Sequence, residues 1–445
     1  MFGKLNMAVL GCGNIAGMMA ETMRGVSAVR SYAAASRDLE KAKAFAKKHG
    51  FKRAYGSYEE LLQDKKVDLV YIATPHSEHY ANAKLCIAYG KPVLCEKPFT
   101  VSAAQAEELF ALADEKNVFI AEAMWPRYMP MLAKIREVLA SRVIGDPVML
   151  TANLGYNIRW VRRMTEPTLA GGTLLDVGVY TLNFASMMFG DDVLRIRAGC
   201  TYTASGVDEQ DSVTLTYRDG RVAVLSASML GVSDRRGVIQ GTKGYMVIEN
   251  ITNFESLTVY DNSYRQIGFY KRPKQKTGYE YEVEACVRAI KSGWLECPEM
   301  PHTQTLTMMR MMDEIRAQFG LVYPFEKTAQ DGPVAEETPV TKATQEALDA
   351  AVVAPEEIAR LTWGEAERPQ ETKTQEEKAP AGSKTEDLPV AEMAGVFGFS
   401  VQPAKEASAE APAAPQAGEE RLAETGGAVA AVPQPERAVS AETEP

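Results

Sequence analysis

Two short motifs in this 445-residue chain combine residue types that do chemistry together. Gly11-Cys12-Gly13-Asn14-Ile15-Ala16 follows an apolar stretch and opens an amphipathic one. Gly11 permits a tight turn, Gly13 lets the backbone approach a pyrophosphate, and Ala16 in the third glycine position still allows close helix–sheet packing. Asn14 and Ile15 begin the helix whose positive end would face that anion. Glu96-Lys97-Pro98 follows a second apolar strand. Pro98 fixes its own φ and biases Lys97 toward an extended conformation. From there an ammonium can reach a cofactor ribose and a reacting oxygen, where it would stabilise an alkoxide or lower a neighbour's pKa. Glu96 is expected to hold that ammonium in place. The competing reading of Lys97 is an exposed turn lysine.

Three further constellations surround these motifs. An NAD site usually places Asp or Glu on the ribose hydroxyls at the end of the second strand. This chain has Ser36-Arg37 there instead. A hydroxyl and a guanidinium suit a 2′-phosphate, so NADP(H) is expected, with NAD(H) second. The competing reading of Arg37 is a plain surface charge, and Asp38 is expected to cap the next helix. Thr74-Pro75-His76 ends another strand and His79 follows. Ligands bind at such strand ends, which makes all four candidates for the cofactor cleft. His76 and His79 as a metal pair lack an evident third ligand, and no metal is expected.

The last constellation is Gly171-Gly172-Thr173-Leu174-Leu175-Asp176-Val177-Gly178-Val179-Tyr180. Asp176 and Tyr180, four apart, share one face of a helix. The paired glycines let that helix start close to a substrate or nicotinamide. A phenol beside a lysine ammonium is a workable acid/base if its pKa of about 10 falls, which a nearby cation would bring about. Taken alone, the segment reads as a buried tyrosine with an acidic residue in the first helical turn.

The elements that must position these groups follow from periodicity. Residues 1–122 alternate apolar strands (Asn6–Leu10, Val29–Ala35, Leu69–Ile72, Pro92–Cys95, Val118–Ala121) with amphipathic helices (Ile15–Met23, Asp38–Lys48, Tyr58–Leu62, Glu78–Tyr89, Ala103–Glu115). That alternation predicts a parallel sheet covered on both faces. Residues 123–327 predict an α+β domain. Helices are expected at Met131–Ser141, Leu174–Met188, Glu280–Lys291 and Thr303–Phe319. Period-two strands are expected at Ile196–Thr203, Ser212–Tyr217, Val222–Met229, Val238–Gly241, Tyr245–Glu249 and Leu257–Tyr260. Residues 328–445 are rich in Ala, Glu and Pro and are expected to be disordered, with a marginal helix at Thr344–Leu361 and an apolar island at Leu388–Val401.

Charge divides the chain at the same place. Residues 1–327 carry 36 acidic and 40 basic groups, a net of +4, and the rest carry 23 and 9, a net of −14. The net charge of −10 therefore belongs to the tail, and the folded part offers no basic field for nucleic acid. Six scattered cysteines show neither zinc nor disulfide spacing. No apolar run suits a secretory signal or a membrane span, so a cytoplasmic protein is expected.

The chain resembles the Gfo/Idh/MocA oxidoreductase superfamily over about residues 5–326, including the closing Val322-Tyr323-Pro324-Phe325-Glu326. Glu96-Lys97-Pro98 after a GxGxxA turn carries the resemblance. Ala121-Glu122-Ala123-Met124-Trp125-Pro126-Arg127-Tyr128, with Tyr180, makes it most similar to the branch of dimeric dihydrodiol dehydrogenases and NADP-dependent D-xylose dehydrogenases. Many relatives carry His in place of Tyr180, and Gly171-Gly172-Thr173 departs from their GGG. The resemblance implies an α/β architecture: an N-terminal Rossmann domain, then an α+β domain with an open, mostly antiparallel sheet, the active site lying between them. It implies Lys97 as a catalytic and cofactor-ribose residue, Tyr180 as acid/base and Asp176 orienting substrate hydroxyls. Trp125, Arg127 and Tyr156 would shape the substrate pocket, and the open sheet would form a homodimer. The activity implied is NADP(H)-dependent hydride transfer at a carbinol or carbonyl carbon of a sugar, polyol or cyclic diol. Alternatives are a tightly bound cofactor used for redox-assisted sugar cleavage or epimerisation, and a non-catalytic NADP-sensing regulator that binds a partner through its tail. The resemblance does not reach the tail.

Overall fold

The first sheet is built from Leu5–Leu10 (β1), Val29–Ala35 (β2), Arg53–Tyr55 (β3), Leu69–Ile72 (β4), Val93–Glu96 (β5) and Ile120–Ala123 (β6). The structure, a computed structural model, describes residues 3–326. The tail expected to be disordered, with its two islands, therefore lies outside the described residues. The strand order is β3-β2-β1-β4-β5-β6, and every pairing is parallel. β4, β5 and β6 are buried at every position, which is why they read as continuous apolar runs rather than alternating ones. The order reverses between β1 and β4, so a crevice opens at their carboxyl ends.

Helices Asn14–Gly25 (α1), Leu39–His49 (α2), Tyr58–Gln63 (α3), His79–Ala88 (α4) and Ala103–Lys116 (α5) cross between these strands. Asp38, Ser57 and Ser102 cap α2, α3 and α5 by accepting backbone N–H bonds. The three-residue edge strand β3 is too short to show a period and was not expected.

The polypeptide then runs through Pro130–Ala140 (α6) into an eight-stranded sheet. Its strands are Pro147–Gly155 (β7), Val193–Tyr202 (β8), Asp208–Tyr217 (β9), Val222–Ser228 (β10), Gly237–Gly241 (β11), Gly244–Glu249 (β12), Ser256–Asp261 (β13) and Gln266–Lys271 (β14). They lie in the order β14-β13-β12-β11-β7-β10-β9-β8. β7 and β10 pair in parallel, and all other pairs are antiparallel. β7 and β14 are the strands the sequence did not announce. β7 alternates buried Leu150, Ala152 and Leu154 with half-buried Thr151 and Asn153, and Pro147 at its start and the polar Thr and Asn within it mask the alternation. β14 is an exposed edge with little apolar pattern.

One face of this sheet is covered by Val179–Phe189 (α8), which packs on β7 and β10 and is buried at ten of its eleven positions. Arg162–Thr165 (α7) is a single turn before it. The expected helix 174–188 is divided: Leu174–Gly178 winds as a π-helix before α8 begins. The opposite face presents a row in lateral register that includes Thr214, Val224, Thr151, Val238, Val247 and Phe269. Glu280–Lys291 (α9) and His302–Phe319 (α10) complete the fold. α10 packs against both α5 and β8, and Ile120 N–H of β6 donates to Leu295 O, so the two sheets share one buried apolar cluster. Among the described residues no helix is long and apolar enough to cross a membrane.

Candidate active site

The glycine turn lies where β1 ends. Gly11 has φ +89°, and a Cβ there would stand 2.7 Å from Ala73 O, so only glycine lets the strand turn past β4. Gly11 N–H donates to Ala35 O, which brings Ser36-Arg37 beside the turn. A Cβ on Gly13 would meet nothing within 4 Å, and α1 starts there with no side-chain cap. Unsatisfied N–H groups facing open space are what a dinucleotide pyrophosphate requires, so the residues present fit that group. Asn14 and Ile15 form the first turn of α1. Ser36 Oγ accepts from Asp38 N–H, Asp38 caps α2 as expected, and Arg37 is exposed with no ion pair among the described residues. Thr74 packs at Gly11 and accepts from Asn82, and Pro75 leads into a 3-10 turn at His76–Glu78.

Lys97 follows β5 and its ammonium meets the π-helical turn. Nζ donates to Asp176 Oδ1 at 3.0 Å and to Asp176 O at 2.7 Å, and lies 4.9 Å from the centroid of the Tyr180 ring. The expectation that Glu96 holds the ammonium is therefore corrected. The Glu96 carboxylate accepts from the Tyr71 hydroxyl and from Lys97 N–H, on the buried side of the strand, because successive side chains of β5 point to opposite faces. Burial raises the Glu96 carboxyl above its usual range, against the Tyr71 hydrogen bond and the charge of Lys97.

Asp176 is the hub. Besides Lys97, Arg163 Nη1 lies 2.7 Å from Oδ1 and His76 Nε2 3.5 Å from it. Burial alone would raise this carboxyl; Arg163, then Lys97 and His76, outweigh burial and hold it well below the carboxylate range. His76 Nδ1 faces Ala170 O, and burial lowers its pKa. His79 meets the His76 ring edge-on, with centroids 5.8 Å apart, but its nitrogens point elsewhere. Its two ring nitrogens face Pro98 O at 2.8 Å and Thr74 O at 3.0 Å, so it ties the β4 and β5 loops together, and burial lowers its pKa to about 3.

Tyr180 opens α8. Its oxygen accepts from Trp125 Nε1 at 3.2 Å, and the Trp125 indole stacks on Tyr279 at 4.4 Å. The phenol's pKa does not fall as expected. Burial pushes it well above 10, Tyr279 and Glu96 add to that, and the Trp125 hydrogen bond opposes. The ammonium lies against the ring, and Asp176 neutralises much of its field.

Of the other residues expected in the pocket, Tyr156 follows β7 with its hydroxyl engaged by Thr252 and Arg235. Arg127 is placed elsewhere. It is buried, with Nε donating to Asn183 Oδ1 at 2.6 Å and Nη2 to Ser186 Oγ at 2.9 Å, so it braces α8 from behind. Nothing in the residue pattern singles out Arg163, Tyr71 or Tyr279. An arginine three positions before a Glu in a loop has no spacing to Asp176 that could be read; its role comes from α7 packing, where Gly172 N–H donates to Met164 O.

Comparison with known proteins places this geometry. Residues 5–123 match the model of the oxidoreductase family with an NAD-binding Rossmann fold, GFO_IDH_MocA, and residues 132–247 match the GFO/IDH/MocA C-terminal domain. A trans-1,2-dihydrobenzene-1,2-diol dehydrogenase of Xenopus tropicalis is 37% identical over 298 residues, 66% of this chain and 90% of the relative. The protein of the same name from Sus scrofa is 35% identical over 302 residues, with the same coverage. Among solved structures, KijD10, a 3-ketoreductase from Actinomadura kijaniata in complex with TDP-benzene and NADP, superposes with a TM-score of 0.65 at 24% identity. It covers 71% of this chain and 98% of its own, and supports the fold. The chain belongs to the Gfo/Idh/MocA oxidoreductase family. It is a dehydrogenase or reductase of CH–OH groups, with an NAD(P)-binding Rossmann fold.

Proposed function

We propose that the protein is an NADP(H)-dependent oxidoreductase that interconverts a carbinol and a carbonyl on a sugar, a polyol or a cyclic diol. The observation that carries this is the meeting of Lys97, Asp176 and Tyr180 at the carboxyl ends of the parallel strands. The relatives named trans-1,2-dihydrobenzene-1,2-diol dehydrogenase support the cyclic-diol end of that range. Arg37, exposed beside the glycine turn, supports NADP(H) over NAD(H).

A bound nicotinamide coenzyme supplies or accepts the hydride. The residues of the chain handle the proton and the charge. Tyr180, kept protonated by burial, gives its proton to the substrate oxygen during reduction and recovers it during oxidation. Lys97 stabilises the developing alkoxide, and Asp176 fixes the ammonium and orients a neighbouring hydroxyl. Trp125, Tyr156 and Tyr279 wall the pocket. His76, His79 and Thr74 shape the cofactor side. A second copy of the chain is proposed to cover the open face of the eight-stranded sheet, where Val224 is 39% and Phe269 56% exposed.

The test is a panel of sugars, polyols and trans-dihydrodiols with NADP+ and NAD+, followed at the NADPH absorbance. Turnover of at least one class with NADP+ favoured is expected. No turnover across the panel in either direction, with coenzyme bound, would remove the proposal.

A further inference from the structure

Three carboxylate oxygens on β9 are buried without a hydrogen-bond donor: Asp208 Oδ1 and both oxygens of Asp211. Asp208 is 0% and Asp211 5% exposed. The two carboxyls lie within hydrogen-bonding reach of each other. No cation among the described residues pairs with either. From β8, Cys200 stands opposite Asp211. From the segment after α10, Tyr323 approaches both, and Arg316 of α10 behind it is taken by Glu326 and Asp313. Glu209, next to Asp208, faces Arg159. Two ionised carboxylates in this setting repel each other across a low-dielectric gap, and one shared proton turns that repulsion into a hydrogen bond.

The pair lies directly under the turn that carries the active site. Asp208 Oδ2 accepts Leu174 N–H at 2.5 Å. Gly172 has φ +127°, and a Cβ there would fall 2.1 Å from Asp208 Oδ1, so the loop passes over the carboxyl only as glycine. At the other end, a Cβ on Gly178 would stand 3.6 Å from Asp211 Oδ2. Thr173 Oγ1 donates to Glu209 O, and the Tyr323 hydroxyl donates to Gly171 O. Asp176 lies midway along this clamped stretch.

We propose that Asp208 and Asp211 hold one proton between them and act as positioning residues, clamping the π-helical turn so that Asp176 and Tyr180 meet Lys97. This rests on the hydride-transfer role given to those three groups. Burial pushes the Asp208 carboxyl up to about 6 and Asp211 well above its usual range. Both shifts hold the shared proton to higher pH than a free carboxyl keeps its own; where it leaves, two buried anions push apart and the turn loosens.

Asp211→Asn supplies an amide N–H in place of the shared proton at every pH. Hydrogen–deuterium exchange of residues 171–180 in the full chain, at neutral and alkaline pH, reads the clamp without substrate. Wild-type protection over this segment, normalised to the same segment's intrinsic rates, is expected to fall on the alkaline side. Asp211→Asn is expected to retain it, while Asp208→Ala loses protection at both pH values and cuts kcat tenfold or more with NADPH still bound. Identical alkaline losses in wild type and Asp211→Asn would overturn the shared proton. If Asp211→Asn does not fold, Asp208→Asn makes the same comparison, because its amide keeps an acceptor for Leu174 and a donor for Asp211. A pH-dependent clamp in a protein without turnover would leave this pair standing and remove only the catalytic role.

Discussion

The indole N–H of Trp125 points at the oxygen of Tyr180, 3.2 Å away. A phenol whose oxygen already accepts one hydrogen bond keeps its own O–H free to donate. Trp125 thus fixes the direction of the phenol, and does so from the 3-10 turn Trp125–Tyr128, which is braced in turn by the Tyr128 hydroxyl on Glu122 O.

Tyr180→Phe should remove the proton donor and leave the ring in place beside Lys97. We expect kcat to fall by roughly 10²–10⁴-fold, the usual span for losing a general acid, with coenzyme affinity little changed. Wild-type oxidation should rise toward alkaline pH, because burial holds the phenol protonated well above its ordinary value and oxidation needs it deprotonated. Steady-state pH profiles of both proteins check this; a Phe variant with the wild-type profile contradicts it.

Lys97→Met keeps the length of the side chain and deletes the charge between Asp176 and the Tyr180 ring. Turnover should drop by about 10³-fold, the scale of one lost electrostatic stabiliser, while NADPH binding measured by fluorescence persists. Near-normal turnover would take Lys97 out of the chemistry.

Arg37→Ala tests the coenzyme. A charged hydrogen bond to phosphate contributes about 1.5–3 kcal/mol, which converts to roughly 10–100-fold in NADP+ affinity. NAD+ affinity should stay within about twofold. Equal weakening of both nucleotides would show that Arg37 does not read the 2′-phosphate.

Glu122 provides a stability test away from the chemistry. Its carboxylate accepts from Phe99 N–H and from Thr305 Oγ1 inside the core, and burial pushes its pKa up to about 7. The folded protein therefore holds the proton more tightly than the unfolded chain, where the value is about 4.3. The stability this confers is fully present below that unfolded value and is lost as pH rises toward about 7. Tm should decline from pH 5 to pH 7.5, and less steeply in Glu122→Gln, which cannot ionise. An equal decline in the variant, by calorimetry, would count against this account.

Val224→Arg places a charge in the middle of the uncovered row on the eight-stranded sheet, opposite Thr214 and Thr151. If a second copy covers that face, sedimentation should report a shift from dimer to monomer. An unchanged dimer would locate the interface elsewhere.

Much of this molecule could be read before any coordinates. The parallel strands appear in the sequence as unbroken apolar runs because both of their faces are covered, and the glycine turn and Lys97 declare themselves by their place after such runs. What stayed hidden has a common cause. β7 carries its pattern in Thr and Asn as much as in Leu, since its other face is the open one. Arg163 reaches Asp176 only through the packing of a four-residue turn. Glu96 and Asp176 are both acids near Lys97, and which of them takes the ammonium depends on strand facing and on a turn 79 residues away, neither of which local spacing encodes.

The wide winding at Leu174–Gly178 has a consequence for how this enzyme can change. A π-turn holds one more residue than the α-turn it replaces. Deleting a single residue there would let the backbone settle into the tighter coil and leave α8 in nearly its present rotation, because the extra residue is taken up within the turn itself. The phenol would then keep its place at the crevice, and the change would fall on Asp176, inside the turn. A one-codon loss could in this way alter the hold on the ammonium and spare the scaffold, whereas substitutions within the turn would mostly adjust how firmly it holds.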